Sequence, residues 1–60
     1  MKNMIDKIQE ALSYYNFKSL EIKNYMNSNT NLTVDEIIEK AEELSALEYK
    51  ITALEVANEN

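Results

Sequence analysis

A chain of 60 residues with no glycine and no proline lacks the two residues that most readily punctuate a backbone. Its turns must come from asparagine, serine and threonine. One helix-start signal stands out, Leu32-Thr33-Val34-Asp35-Glu36-Ile37. Thr33 can cap the free amides of a new helical turn, and Glu36 can reach back to the Thr33 amide, which makes a capping box. Leu32 and Ile37 stand where a hydrophobic staple belongs. The chain therefore reads as helix, short polar break, helix.

The first helix is expected to start at Asn3, a good N-cap with Asp6 in the first turn. Apolar residues then recur at Met4, Ile5, Ile8, Ala11, Leu12, Tyr15, Ile22, Tyr25 and Met26, in steps of three and four that put them on one stripe. The stripe lapses at Lys18 and Ser19. Two readings stay open: an unbroken helix over about residues 3–27, or a break near Asn16 with a short helix capped by Ser19, giving three helices. The cluster Asn27-Ser28-Asn29-Thr30-Asn31 is the only turn-like segment and predicts a loop over 28–32. Asparagine tolerates the left-handed backbone that ends helices, so it can stand in for glycine.

The second helix is expected over about 33–57, with a stripe of Val34, Ile37, Ala41, Leu44, Leu47, Ile51 and Leu54. The last four fall at the 3.5-residue spacing of a packed helical seam. Ile8, Leu12, Leu44, Leu47 and Ile51 are the expected core. Two helices of about 25 residues, each near 37 Å long, joined by a short loop, predict an all-α antiparallel hairpin. It makes one domain over 1–60, with no repeat or linker.

Not every apolar residue fits a stripe. At 100° per residue, Tyr14, Phe17 and Leu20 project away from it on an unbroken first helix, as do Ala46, Tyr49, Ala53, Val56 and Ala57 on the second, with Ile38 further along. A helix that is apolar on two sides must be covered on two sides. Domains this small are marginal alone, and without cysteine or histidine neither disulfides nor the usual metal staples can help. Oligomerisation remains, and pairing two hairpins into a four-helix bundle would cover the second faces. The candidate interface is Tyr14, Phe17, Leu20, Ala46, Tyr49, Ala53 and Val56. Each patch has a plainer reading: a break near Asn16 would turn the tyrosine–phenylalanine–leucine group inward, and alanine is simply the best helix former.

Composition excludes most chemistry. Nucleophilic triads need a histidine or an equivalent base, and phosphate-cradling loops need glycine. Glu36, Glu39, Glu42 and Glu43 stand at helical intervals, like the Glu-x-x-Glu pairs with which all-helical nucleotide pyrophosphatases hold magnesium. Those sites need a second acidic helix, and the first helix offers only Asp6, Glu10 and Glu21. A solvated acidic face with Lys40 among its acids is the expected reading. No catalytic residue, cofactor or metal is expected.

The net charge of −5 is uneven. Residues 1–31 carry Lys2, Lys7, Lys18 and Lys23 against Asp6, Glu10 and Glu21. Residues 32–60 carry Lys40 and Lys50 against Asp35, Glu36, Glu39, Glu42, Glu43, Glu48, Glu55 and Glu59. With no arginine and no lysine cluster, direct nucleic-acid binding is not expected, while an acidic half suits a basic protein partner or serves solubility. No apolar run approaches the roughly 20 residues of a membrane span, and the start of the chain lacks a signal-like core. The expectation is a soluble, cytoplasmic protein. Abundant Asn, Lys, Ile and Glu suggest AT-rich coding, as in low-GC bacteria and their phages.

The segment Ala41-Glu42-Glu43-Leu44-Ser45 resembles the Ser-Gln-Glu-Leu-Asp signature on the second helix of small bacterial hairpins that dephosphorylate response-regulator aspartates. Ala41 stands at the serine and Ser45 at the aspartate, so this five-residue resemblance carries neither functional side chain. The leading expectation is a small acidic, non-enzymatic protein-binding module. It would be a homodimeric regulator or inhibitor of a host protein, of the phage or mobile-element type. The alternative is a structural or adaptor subunit of a larger helical assembly, and the remote alternative a hairpin aspartyl-phosphate phosphatase.

Overall fold

The computed structural model describes residues 4–59, in two helices: α1, Met4–Ser28, and α2, Val34–Glu59. The Lys40 ammonium sits 5.2 Å from the centre of the Tyr25 ring and the Lys50 ammonium 5.4 Å from that of Tyr15, so α2 runs back along α1. The molecule is an antiparallel helical hairpin, 45 × 16 × 14 Å. The expected cap at Asn3 lies outside the described residues.

The capping box forms as the sequence predicts. The Glu36 amide donates to Thr33 Oγ1 at 3.1 Å and the Thr33 amide donates to Glu36 Oε1 at 3.3 Å. The Ile37 amide donates to the Thr33 carbonyl at 3.0 Å, the first bond of the helical ladder. The second helix runs two residues beyond its expected end near Ala57. Thr33→Ala is expected to cost about 0.5–2 kcal/mol, read as a lower urea midpoint with an unchanged slope. An unchanged midpoint would mean that α2 draws nothing from this cap.

The other end of the turn works differently from expectation. No non-glycine residue among those described has a positive φ, so no asparagine closes α1 in the left-handed region. Instead the Ser28 hydroxyl donates back to the Asn24 carbonyl at 2.6 Å, satisfying one of the last carbonyls of the helix. Asn29 Oδ1 then accepts the Asn31 amide at 3.2 Å, a side chain mimicking a backbone turn. Side-chain oxygens do here what glycine does in other chains.

The first helix is continuous through Asn16–Ser19, and the hairpin has two helices rather than three. The break near Asn16 does not occur because Ser19 does not interrupt the packing stripe; it belongs to it. Ile8, Leu12, Tyr15, Ser19, Ile22 and Met26 alternate steps of four and three, and all are buried or half-buried. On α2 the matching series is Ile37, Lys40, Leu44, Leu47, Ile51 and Leu54. This is the heptad alternation of a coiled-coil seam, with one polar member on each helix. The expected stripe on α2 is corrected accordingly. Val34 and Ala41 lie off the seam and are exposed, while Ile37 is on it but sits beside the turn and remains exposed.

Little is deeply buried. Among the described residues only Ile8 and Ser19 are, at 8% and 6% exposure. Leu12, Leu44, Leu47 and Ile51, the rest of the expected core, face the seam but are only half-buried. Two helices packed side by side shield each other along one line and leave both margins of that line open.

Candidate functional site

The residues singled out as an interface are all exposed. Tyr14, Phe17 and Leu20 keep 58%, 62% and 56% of their surface, and Tyr49 and Val56 keep 77% and 53%. Ala46 and Ala53 are exposed beside them. The continuous first helix fixes this outcome, since it holds Tyr14, Phe17 and Leu20 away from the seam. Tyr14 leans edge-on against Tyr15, ring centres 5.4 Å apart. The register set by the two lysine–tyrosine contacts brings Phe17 level with Tyr49. The two groups therefore overlap along the middle of the hairpin but face away from each other, one on each helix. They do not form one patch.

A second apolar group near the turn was only partly foreseen. Val34, Ile37 and Ile38 keep 71%, 42% and 49% of their surface. The signal was present in the paired isoleucines: adjacent positions on a helix cannot both face one seam, so either Ile37 or Ile38 had to turn outward.

The two margins of the seam differ chemically. On one, a shallow groove is lined by Lys18, Glu21, Ile22, Tyr25, Lys40 and Glu43. Charges line both its walls: Lys18 donates to Glu21 at 3.1 Å along α1 and Lys40 pairs with Glu43 at 3.6 Å along α2, while Lys40 also reaches across to cover the Tyr25 ring. Glu21 raises the Lys18 pKa above the ordinary lysine value, first by that hydrogen bond and then by its charge, with smaller help from Tyr14 and Glu43. Glu36, which the helix spacing offered as a partner for Lys40, serves the capping box instead.

The other margin carries a groove lined by Asn16, Ser19, Leu20, Lys23, Glu48, Ile51 and Thr52. The Ser19 hydroxyl at its floor is buried and has no hydrogen-bond partner. An unpaired buried hydroxyl is costly, and most such groups in folded proteins find a partner.

Among the described residues no group of three acids converges to hold a metal ion, and no helix is long and apolar enough to cross a membrane. Both Ala41 and Ser45, at the functional positions of the phosphatase-like segment, are exposed and carry no carboxylate. What the surface can do is bury apolar area against another protein. Comparison with known proteins returns no match: no family model, no curated protein and no solved structure is similar to this chain.

Proposed function

We propose that this chain is a non-enzymatic protein-binding module that acts as a homodimer, two hairpins packing into a four-helix bundle. The observation that carries this reading is the inverted ratio of exposed to buried apolar residues. Among the described residues nine large hydrophobic side chains are exposed, against one buried apolar residue, Ile8. Exposed apolar surface on that scale, in several groups, marks interaction sites in proteins that are not misfolded. Tyrosine and phenylalanine supply its largest pieces, and such residues are enriched at interface centres. Tyr14, Phe17, Leu20, Ala46, Tyr49, Ala53 and Val56 form the contact surface, shared between the second copy and a further protein. The acidic α2 favours a basic partner, and the role we assign is that of a small regulator or inhibitor of a host protein, of the phage or mobile-element type, working in the cytoplasm.

Sedimentation equilibrium tests the core of the proposal. The expected mass is twice the 7.0 kDa of one chain. A single 7.0 kDa species up to millimolar concentration would overturn the dimer. Polydisperse association would favour the second reading, a subunit whose faces are completed by other members of a helical assembly.

A further inference from the structure

One observation calls for a second copy, and three more single out one margin of the hairpin as its face. The first is area. The chain exposes 4828 Å², whereas a folded monomer of its mass is expected to expose about 4000 Å². The excess, on the order of 800 Å², matches one partner's share of a standard-sized stable interface. The second is charge. Counting in sevens from Glu48 and Thr52 places Val34, Ala41 and Glu55, and Ile38, Ser45 and Glu59, along the same side of α2 as the Ser19 groove. The same count from Asn16 and Leu20 gives Gln9 and Lys23, and Asp6, Ser13 and Asn27, on α1. Over residues 13–28 and 34–53 this side carries only Lys23 and Glu48 as charges, with Asp6, Glu55 and Glu59 gathered toward the end away from the turn. The opposite margin is crossed by Lys18, Glu21, Lys40, Glu43 and Lys50. Interface cores are depleted of charge, and two chains of net charge −5 must avoid setting acid on acid.

The third observation is the unpartnered Ser19 hydroxyl, which lies under this groove and not under the other. The fourth is that the two facing charges are opposite in sign, and neither belongs to an ion pair among the described residues. Lys23 is on α1 and Glu48 on α2. A two-fold axis along the hairpin sets each α1 against the other copy's α2. The register puts Glu48 level with Lys18, five residues or about 7 Å along the axis from Lys23, a span that a lysine side chain reaches.

We propose that the second copy packs over the groove between Leu20 and Thr52, with Lys23 of each chain paired to Glu48 of the other. This assignment rests on the homodimer reading above and gives it a face. The outward residues Tyr14, Phe17 and Tyr49 then stay exposed in the dimer for a different protein.

The test is a charge exchange read by sedimentation. Lys23→Glu alone and Glu48→Lys alone each create two like-charge contacts, and each should weaken the dimer by about tenfold. Mixing the two variants restores both contacts in the heterodimer, one as in the parent and one with its signs reversed, so the mixture should form heterodimers at near-parental affinity. A net-charge effect without contact would act otherwise, because Lys23→Glu makes the chain more acidic and Glu48→Lys less so; the first would weaken the dimer and the second strengthen it. Tyr49→Lys, on the outer face, should leave the affinity unchanged. Three results overturn the assignment: single variants that dimerise like the parent, opposite effects of the two, or a mixture no tighter than its components. A monomeric parent overturns the homodimer reading itself, whereas a dimeric parent indifferent to both exchanges leaves that reading standing and removes only this face. Circular dichroism at the concentrations used ensures that an unfolded variant is not read as a dissociated one. A variant that folds only in the mixture supports the assignment as directly as a restored affinity does.

Discussion

Leu47→Ala should lower stability by about 2–5 kcal/mol. For a domain of 60 residues, whose total stability is on the order of 3–9 kcal/mol at ordinary values per residue, that loss leaves a large unfolded fraction at room temperature. Leu47 stands at the middle of the seam, level with Ser19, the smallest side chain on the α1 side. No bulky neighbour on that helix can move in to fill the space its removal opens, so the cavity penalty adds to the lost transfer free energy. Urea titration followed by circular dichroism measures the loss. The size of the effect also carries information. In the isolated hairpin Leu47 is only half-buried, and truncation there should fall at the low end of the range. A cost near the top would mean that the part of its surface still open in the hairpin is covered in solution by something beyond it. A variant that melts like the parent would show that Leu47 packs against nothing and that the seam is misassigned.

The turn and the seam were legible to different degrees, for physical reasons. The capping box is local chemistry: Thr33 and Glu36 need only each other's backbone, so four consecutive residues contain the whole argument. The seam on α2 from Leu44 to Leu54 was equally readable because every member is apolar. Legibility failed where a polar residue occupies a packing position. Ser19 broke the hydrophobic pattern of α1 and invited a helix break, yet it is the most buried described residue. A small side chain lets two helices approach, and periodicity in hydrophobicity alone cannot register that. Lys40 hid the α2 seam in the same way. Its stem lies half-buried on the seam while its ammonium reaches the Tyr25 ring and Glu43. Taking Val34 and Ala41 for its neighbours shifted the stripe by one edge of the helix. The end of α1 was misjudged for the opposite reason. Asparagine's tolerance of left-handed backbone is a permission and not a requirement, and the Ser28 hydroxyl met the need first. The exposed groups were legible as residues that one partner helix could not cover, but their mutual placement was not. Only the register between the helices reveals that Phe17 and Tyr49 stand at one level on opposite sides.

Diluting the chain a hundredfold should lower its melting temperature by about 10 °C. The expectation follows from the homodimer proposal by mass action. Each tenfold dilution withdraws about 1.4 kcal/mol from a dimer that unfolds to two chains. The unfolding entropy of a dimer of two 60-residue chains, at about 2.1 cal/mol/K per residue, converts two such steps into roughly that shift. The structure motivates the prediction through the shortage of interior. With one buried apolar side chain among the described residues and a seam that is only partly covered, the hairpin has little to set against the conformational entropy of ordering its helices. The balance shifts if a second copy covers Leu20, Ile38 and the open margin of the seam, because the same side chains then leave water completely. Stability and association become one equilibrium, as in obligate dimers whose monomers do not persist folded. Thermal melts from micromolar to near-millimolar chain, followed at the helical dichroism band, decide the matter. A melting temperature that holds constant over that range would mean that the hairpin stands alone. The exposed tyrosines and isoleucines would then all be available to a protein of another kind.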